Sequence, residues 1–468
     1  MKKDLLARLR DGENLNTSQL LRMTVNLSIP AIMAQISSIV MQYIDAGMVG
    51  QLGAADSAAI GIVSSSTWLF GGICNAAGTG FTVQAAQYIG GKKDYEARRI
   101  MRQGLLFCAL ISGLIALVGS IISGKLPVWL GGDAEICRNA GLYFLVFALT
   151  LPVQTLNNAA SGMISASGNM KVPSALHVLM CLLDVVFNAL LIFPSRELHL
   201  FKMTLTLPGA GLGVVGAALG TSFSHVCGLI LMLWFLLRKS PALHLRKGEH
   251  LELRKDELRR ALRIAVPVAC ESVIMSGAQV VSTRIVSPLG TIAIAANSFS
   301  VTAESLCYMP GYGISSAAST LIGQSIGAER QELTRKLGWL TTGLGMAVMT
   351  VSGVLLYLFA PWMIGLLSPE QSIRELGTKV LRIEAFAEPL YGASIVAAGV
   401  FRGAGDTLAP SVMSLVSMWV VRLPMAALLS KRIGLRGVWI AMCIELCFRG
   451  AIFLARLAGK RWQNASKK

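Results

Sequence analysis

The chain has 468 residues, of which 54% are hydrophobic and only 14% charged, with a mean hydropathy of +0.61. A soluble domain carries about 25% charged residues, so this composition excludes an ordinary soluble fold and leaves room for about a dozen spans of roughly 20 residues each. The net charge of +17 would suggest nucleic acid in a soluble chain. Here the Lys and Arg residues sit in alternate loops, the pattern of membrane orientation, so no nucleic-acid partner is expected.

The first apolar run, 20–49, follows a short segment with Lys2, Lys3, Arg8 and Arg10. It is too long for a signal peptide. Eleven further runs follow, at 58–86, 100–124, 138–164, 172–194, 211–237, 262–286, 292–320, 337–366, 378–402, 409–430 and 436–457. In lipid every backbone polar group must be satisfied within its own segment, so each run is expected to be a helix. Basic residues mark the segment after predicted helix 2 (Lys92, Lys93, Arg98, Arg99), after helix 6 (Arg238 to Arg263) and after helix 8 (Arg330, Arg335, Lys336). The loops around Gly50 and Pro288 have none. The positive-inside rule then places both termini and the even-numbered loops in the cytoplasm, within a plasma (inner) membrane. The loop with Lys431, Arg432 and Arg436 breaks this pattern.

The second half repeats the first, displaced by 237 residues from Pro30 to Pro267. At that displacement Leu52-Gly53 matches Leu289-Gly290, and Gln87 matches Gln324. Pro152 matches Pro389, Gly168 matches Gly405 and Pro173 matches Pro410. Six helices is an even number, so both halves enter the membrane the same way, as parallel repeats. Such duplication is the mark of transporters whose site lies between the halves. The expected fold is an all-α integral membrane protein with 12 transmembrane helices in two parallel-repeat six-helix lobes. The lobes are expected at 1–237 and 262–468, joined by a basic cytoplasmic linker at 238–261.

Ionisable residues inside apolar helices are costly, and each is a candidate for function. In the first half these are Asp45 in predicted helix 1 and Asp184 in helix 5. Asn188 lies four residues beyond Asp184, on the same helix face, and Thr221 lies in helix 6. Two carboxylates, an amide and a hydroxyl are hard oxygen ligands of the kind that suits Na⁺. Asp45, Asp184 and Asn188 are thus the candidate Na⁺ or proton site. The second half has Glu271, Glu304 and Glu388 in helices 7, 8 and 10, none with an Arg or Lys one turn away. Carboxyls in a dry cleft can exchange a proton for a cationic substrate, which makes these three the candidate substrate-cleft carboxylates. Glu445 and Arg449, four apart, are expected to pair. Glu384 has Arg382 nearby and reads as structural. Arg284 and Arg422 have no evident partner. His177 reads as a packing residue, with a proton relay as the alternative.

None of these carboxylates is shared by the two repeats: Asp45 aligns with Ser282, Asp184 with Val421, Glu271 with Ala34, Glu304 with Thr67 and Glu388 with Leu151. The shared positions are scaffold, mainly Gly, Pro and Ala. The nine Cys residues lack metal or disulfide spacing. No Gly-Lys-Ser/Thr phosphate loop occurs, so no ATP-hydrolysing motor, enzyme chemistry or cofactor is expected.

Four segments, in order and at the repeat displacement, carry a family resemblance. They are Ile29-Pro30, and Asp45 ahead of Val49-Gly50-Gln51-Leu52-Gly53; then Leu321-Ile322-Gly323-Gln324-Ser325-Ile326-Gly327-Ala328; and Phe401-Arg402-Gly403-Ala404-Gly405-Asp406-Thr407 with its first-half copy Ile164-Ser165-Ala166-Ser167-Gly168-Asn169. Together they resemble the multidrug and toxic compound extrusion (MATE) family over nearly the whole chain. The resemblance implies a secondary exporter of small organic cations, driven by inward H⁺ or Na⁺, with two lobes around a central cleft; a monomer surrounded by membrane lipid is expected. It also implies a first-lobe ion site on helices 1, 5 and 6, mapping to Asp45, Asp184, Asn188 and Thr221. Here the helix 5 pair is exchanged, Asp184 standing where the family has Asn and Asn188 where it has Asp. The alternative is a lipid-linked oligosaccharide flippase of the same superfamily, which needs cationic groups in the cleft to hold pyrophosphate.

Overall fold

A computed structural model describes residues 5–463 apart from 201, 202, 247 and 251. Its long helices follow the apolar runs, because an apolar backbone out of reach of water satisfies its own amides only as a helix. The first half contains α1 (Leu5–Arg10), α2 (Thr17–Gly50), α3 (Ala54–Gly90), α4 (Asp94–Ile122), α5 (Leu126–Trp129), α6 (Ala134–Ala166), α7 (Lys171–Ile192) and α8 (Gly213–Trp234). The second contains α9 (Lys255–Val286), α10 (Thr291–Gly327), α11 (Gln331–Leu367), α12 (Gln371–Glu384), α13 (Glu388–Gly403), α14 (Leu408–Val416), α15 (Leu423–Ile433) and α16 (Leu435–Ala458). With α12/α13 and α14/α15 each counted as one crossing, the chain crosses twelve times, six in each lobe. Among the described residues, ten helices are long and apolar enough to span a membrane. Of the other two crossings, α10 is diluted by Ser, Asn, Thr and Glu, and α12 and α13 are each too short alone.

Local sequence explains the ends and breaks. Asn16 and Gln19 form a reciprocal capping box at the start of α2, which satisfies two amides the helix leaves open. Predicted helix 10 is broken between Glu384 and Glu388, just before Pro389. Proline removes an N–H and clashes with the preceding turn. The same effect at Pro424 follows a π-helical stretch, Ser417–Arg422, inside predicted helix 11. Beyond the membrane helices, the loop between α7 and α8 carries an antiparallel hairpin, Pro194–Leu200 with Met203–Ala210, in which Leu198 pairs in register with Leu205. The loop's length suggested no such structure.

With an even number of crossings, both termini and the inter-lobe segment share one face, here named the terminal face. The first helices of the two repeats cross over on that side. The terminal half of α2 buries Leu20, Met23 and Leu27 in the second lobe's core with Ile314, Leu321 and Phe401. The terminal half of α9 buries Ala261 in the first lobe's core with Phe81, Ala85 and Ile100. Each of these helices contains one of the matched prolines, Pro30 and Pro267. Leu6 and Leu9 of α1 also enter the second lobe's core, each burial contributing roughly 1.5–3 kcal/mol at this water-facing end.

The inter-lobe segment is strapped to α4. Arg98 donates to Glu249 at 2.6 Å and Arg102 to the same carboxylate at 3.1 Å. Tyr95 donates to Glu252 at 2.9 Å, and Arg99 pairs with Glu257. The α9 helix begins at Lys255, within the stretch expected as linker.

Candidate functional site

The first-lobe carboxylates meet where α2, α7 and α8 come together. Small residues permit this approach. A Cβ on Gly216 would stand 2.4 Å from the Leu191 carbonyl oxygen, and one on Gly220 would stand 2.0 Å from Asn188 Oδ1. The α7 helix therefore lies nearly against the backbone of α8, with Asp184 and Asn188 both fully buried between helices. Asn188 Nδ2 donates to Asp45 Oδ1 at 2.8 Å and to Asp184 Oδ2 at 3.0 Å. One amide thus bridges two carboxyl groups on different helices. The two carboxyls lie close enough to influence each other, and Thr221 lies beside Asp184.

Ser224, one turn beyond Thr221, donates to Asp184 Oδ1 at 3.4 Å. Sequence reading passed over this residue, although its spacing of three from Thr221 places it on the same face. Tyr143 of α6 lies within electrostatic range of both aspartates. Asn188 Oδ1 is buried without a hydrogen-bond partner, so it is an acceptor with nothing to accept. Asp45 is only half-buried and forms the open side of the cluster. Two neighbouring carboxyls repel when both are charged, so the arrangement suits one positive charge between them, a proton or a hard monovalent cation. Among the described residues no three His, Cys, Asp or Glu side chains are grouped to hold a metal ion. A cation here would rest on two carboxylates plus amide and hydroxyl oxygens.

The second-lobe carboxylates are not all together. Glu271 is half-buried and accepts from Ser411 Oγ at 2.6 Å. Glu304 and Glu388 lie in a separate buried cluster with Glu384 and Glu445. Arg422 and Arg449 are the cations facing it. Glu445 pairs with Arg449 at 2.9 Å, the expected i,i+4 bridge, and also accepts from Ser417 at 2.6 Å. Arg422, without an evident partner in the sequence, faces Glu304 and Glu384. Arg449 lies over the Tyr391 ring, which packs on Tyr308.

Glu384 differs from its structural reading. Arg382 turns away from it, donating to the Tyr357 carbonyl and covering the Tyr357 ring. Glu384 is left with both oxygens buried and unpaired, as is Glu388. Four buried carboxyls therefore face two guanidinium groups, with Tyr391 and Tyr308 beside them. That composition attracts a cation with apolar or aromatic surface. Elsewhere, His177 bonds weakly to Ser161 at 3.4 Å in α6, and Arg284 is exposed.

The MatE family profile matches the chain twice, at residues 30–190 and 267–428, once in each repeat. "Probable multidrug resistance protein NorM" of Thermotoga maritima is 24% identical over 446 residues, covering 94% of this chain and 92% of that protein. A crystal structure of MATE in complex with MaL6 superposes with a TM-score of 0.88 at 19% identity, covering both chains completely. The Vibrio cholerae MATE transporter VcmN in the bent form gives 0.84 at 18% identity, over 96% of this chain and 99% of that one.

Proposed function

Because this chain belongs to the MATE family, we propose that it is a cation-coupled antiporter that exports organic cations by alternating access. The observation that carries this reading is the asymmetry of the two lobes. The first lobe holds two aspartates bridged by one amide. The second holds an excess of buried carboxyls without hydrogen-bond donors. An inward-moving H⁺ or Na⁺ occupies Asp45, Asp184, Asn188 and Thr221. The outgoing organic cation is attracted by Glu304, Glu384 and Glu388, with Glu271 as a further acidic group on α9.

Exchange requires the two ligands to prefer different conformations. The ion draws α2 onto α7 by neutralising the aspartate pair. Because the terminal half of α2 is embedded in the second lobe, that movement reaches the other lobe mechanically. We place the moving lobes at 1–237 and 262–468 and the linker at 238–261, with the terminal face in the cytoplasm of a plasma-membrane monomer. The basic loops on that face support this orientation. The flippase alternative needs a cationic cleft, whereas the buried cluster has more acid than base.

The test is efflux of a cationic dye from proteoliposomes under separately imposed Na⁺ and pH gradients. Export driven by at least one gradient, and lost in Asp45→Asn with folding intact, is expected. Native-rate export by Asp45→Asn overturns the role of the aspartate pair, and export indifferent to both gradients overturns ion coupling.

A further inference from the structure

The matched glutamines, Gln87 and Gln324, have no role in either carboxylate cluster. They lie in the last turn of α3 and of α10, on the terminal face. Gln324 Nε2 donates to the Ala166 carbonyl at 2.7 Å, and Gln87 Nε2 donates to the Gly403 carbonyl at 3.2 Å. Ala166 is the last residue of α6 and Gly403 the last residue of α13. The final carbonyls of a helix have no partner within it. Each glutamine therefore caps a helix C-terminus, and each capped helix belongs to the opposite lobe.

The other end of each amide is also used, by an arginine of the opposite repeat whose helix packs into the glutamine's own lobe. Arg10 Nε donates to Gln324 Oε1 at 3.2 Å, and Arg260 Nη2 donates to Gln87 Oε1 at 2.8 Å. Gln324 is fully buried and Gln87 is 8% exposed. Around them α3 and α10 touch backbone to backbone. A Cβ on Gly90 would stand 2.1 Å from the Gln324 carbonyl oxygen, and one on Gly327 would stand 1.8 Å from that of Gln87. Toward the other face the packing opens: Cβ atoms on Gly47, Gly50, Gly61 and Gly290 would meet nothing within 4 Å.

We propose that Gln87 and Gln324 are paired positioning residues, the latch of a gate on the terminal face. Their reciprocal caps hold that face shut and must break together when the lobes part there. Buried amides and helix-end carbonyls are costly to leave unpaired, so the latch makes closure all-or-none and opening dependent on water replacing both caps. The four bonds stand on geometry alone; their place in a transport cycle rests on the antiport reading.

Hydrogen–deuterium exchange of the full chain in lipid nanodiscs tests the latch without any assumption about cargo. Gln324→Leu and Gln87→Leu are each expected to speed exchange about tenfold, the effect of losing one buried hydrogen bond. That acceleration should appear in both lobes, at 85–91 and 322–328 together. Exchange around 50–53 and 287–290 on the opposite face should slow in the same variants, because opening one face closes the other. Arg10→Ala and Arg260→Ala keep the caps and should give the same pattern more weakly, which covers the case of a leucine variant that fails to fold. Faster exchange confined to the mutated helix, or an unchanged opposite face, overturns the proposal. If the pattern appears while gradient-driven export is absent, the latch stands and the antiport reading falls.

Discussion

Glu384 and Glu388 lie four residues apart across the break between α12 and α13, and none of their four carboxylate oxygens has a hydrogen-bond partner. Both are fully buried. A pair of this kind has no structural bond to lose, so its value lies in what it attracts. Replacing Glu384 or Glu388 by Gln should leave thermal stability unchanged or raised, since burial of a charge is relieved. Affinity for a monovalent organic cation should fall about tenfold for each lost carboxylate, or about 1.4 kcal/mol. Equilibrium dye binding measures this, and unchanged affinity in both variants would remove the pair from the substrate site.

Gly220 sets the spacing of the first-lobe cluster. The Cβ of Gly220→Ala would stand 2.0 Å from Asn188 Oδ1 and 2.9 Å from the Asn188 backbone nitrogen, so Asn188 must move. Its bridge between Asp45 and Asp184 is then lost. The variant should fold, lose ion-driven export by tenfold or more, and retain dye binding at the second-lobe cluster. Gly61→Ala, where nothing lies within 4 Å, is the control expected to behave as the native chain.

The inter-lobe segment depends on Arg98 and Glu249, whose side chains are 4% and 10% exposed. Arg98→Ala leaves Glu249 with Arg102 alone, at a cost of about 1–3 kcal/mol. Trypsin should then cut the segment around Arg254 several-fold faster, as followed by mass spectrometry. A resistance equal to the native chain's would mean that the strap does not hold the segment.

The same pair predicts a pH response. The hydrogen bond from Arg98 holds the Glu249 carboxyl below its ordinary value of 4.5. A depressed folded value means that the stabilisation is complete above pH 4.5 and is lost as pH falls through the folded value. Sensitivity of the segment to an acid-tolerant protease, measured at each pH, should therefore be flat from neutral pH to 4.5 and rise only below it. Glu249→Gln should abolish that rise.

Gly327 allows the two lobes to meet. In Gly327→Ala the added carbon would stand 1.8 Å from the Gln87 carbonyl oxygen, and backbone cannot yield as a flexible side chain does. The terminal face should stay ajar, with export reduced by tenfold or more while dye still binds. Native-rate export would show that α3 and α10 part there at no cost.

Hydropathy, loop charge and repetition are local properties, and they determined the membrane class, the helix count and the parallel duplication. They also drew attention to Asp45, Asp184, Asn188 and Thr221, because an i,i+4 pair on an apolar helix advertises its own face. Ser224 was open to the same argument. Only the tertiary structure decided the direction of side chains around breaks and crossings. Arg382 and Glu384 are two residues apart, yet one turns outward to Tyr357 while the other is sealed inside. Glu271 was grouped with Glu304 and Glu388 by depth, but depth along a helix says nothing of its rotation, and Glu271 faces Ser411 instead. The exchange of α2 and α9 between lobes and the reach of each glutamine to the opposite helix end involve residues more than 150 positions apart in the chain. No periodicity records such pairs, because they exist only once two separately folded repeats are pressed together.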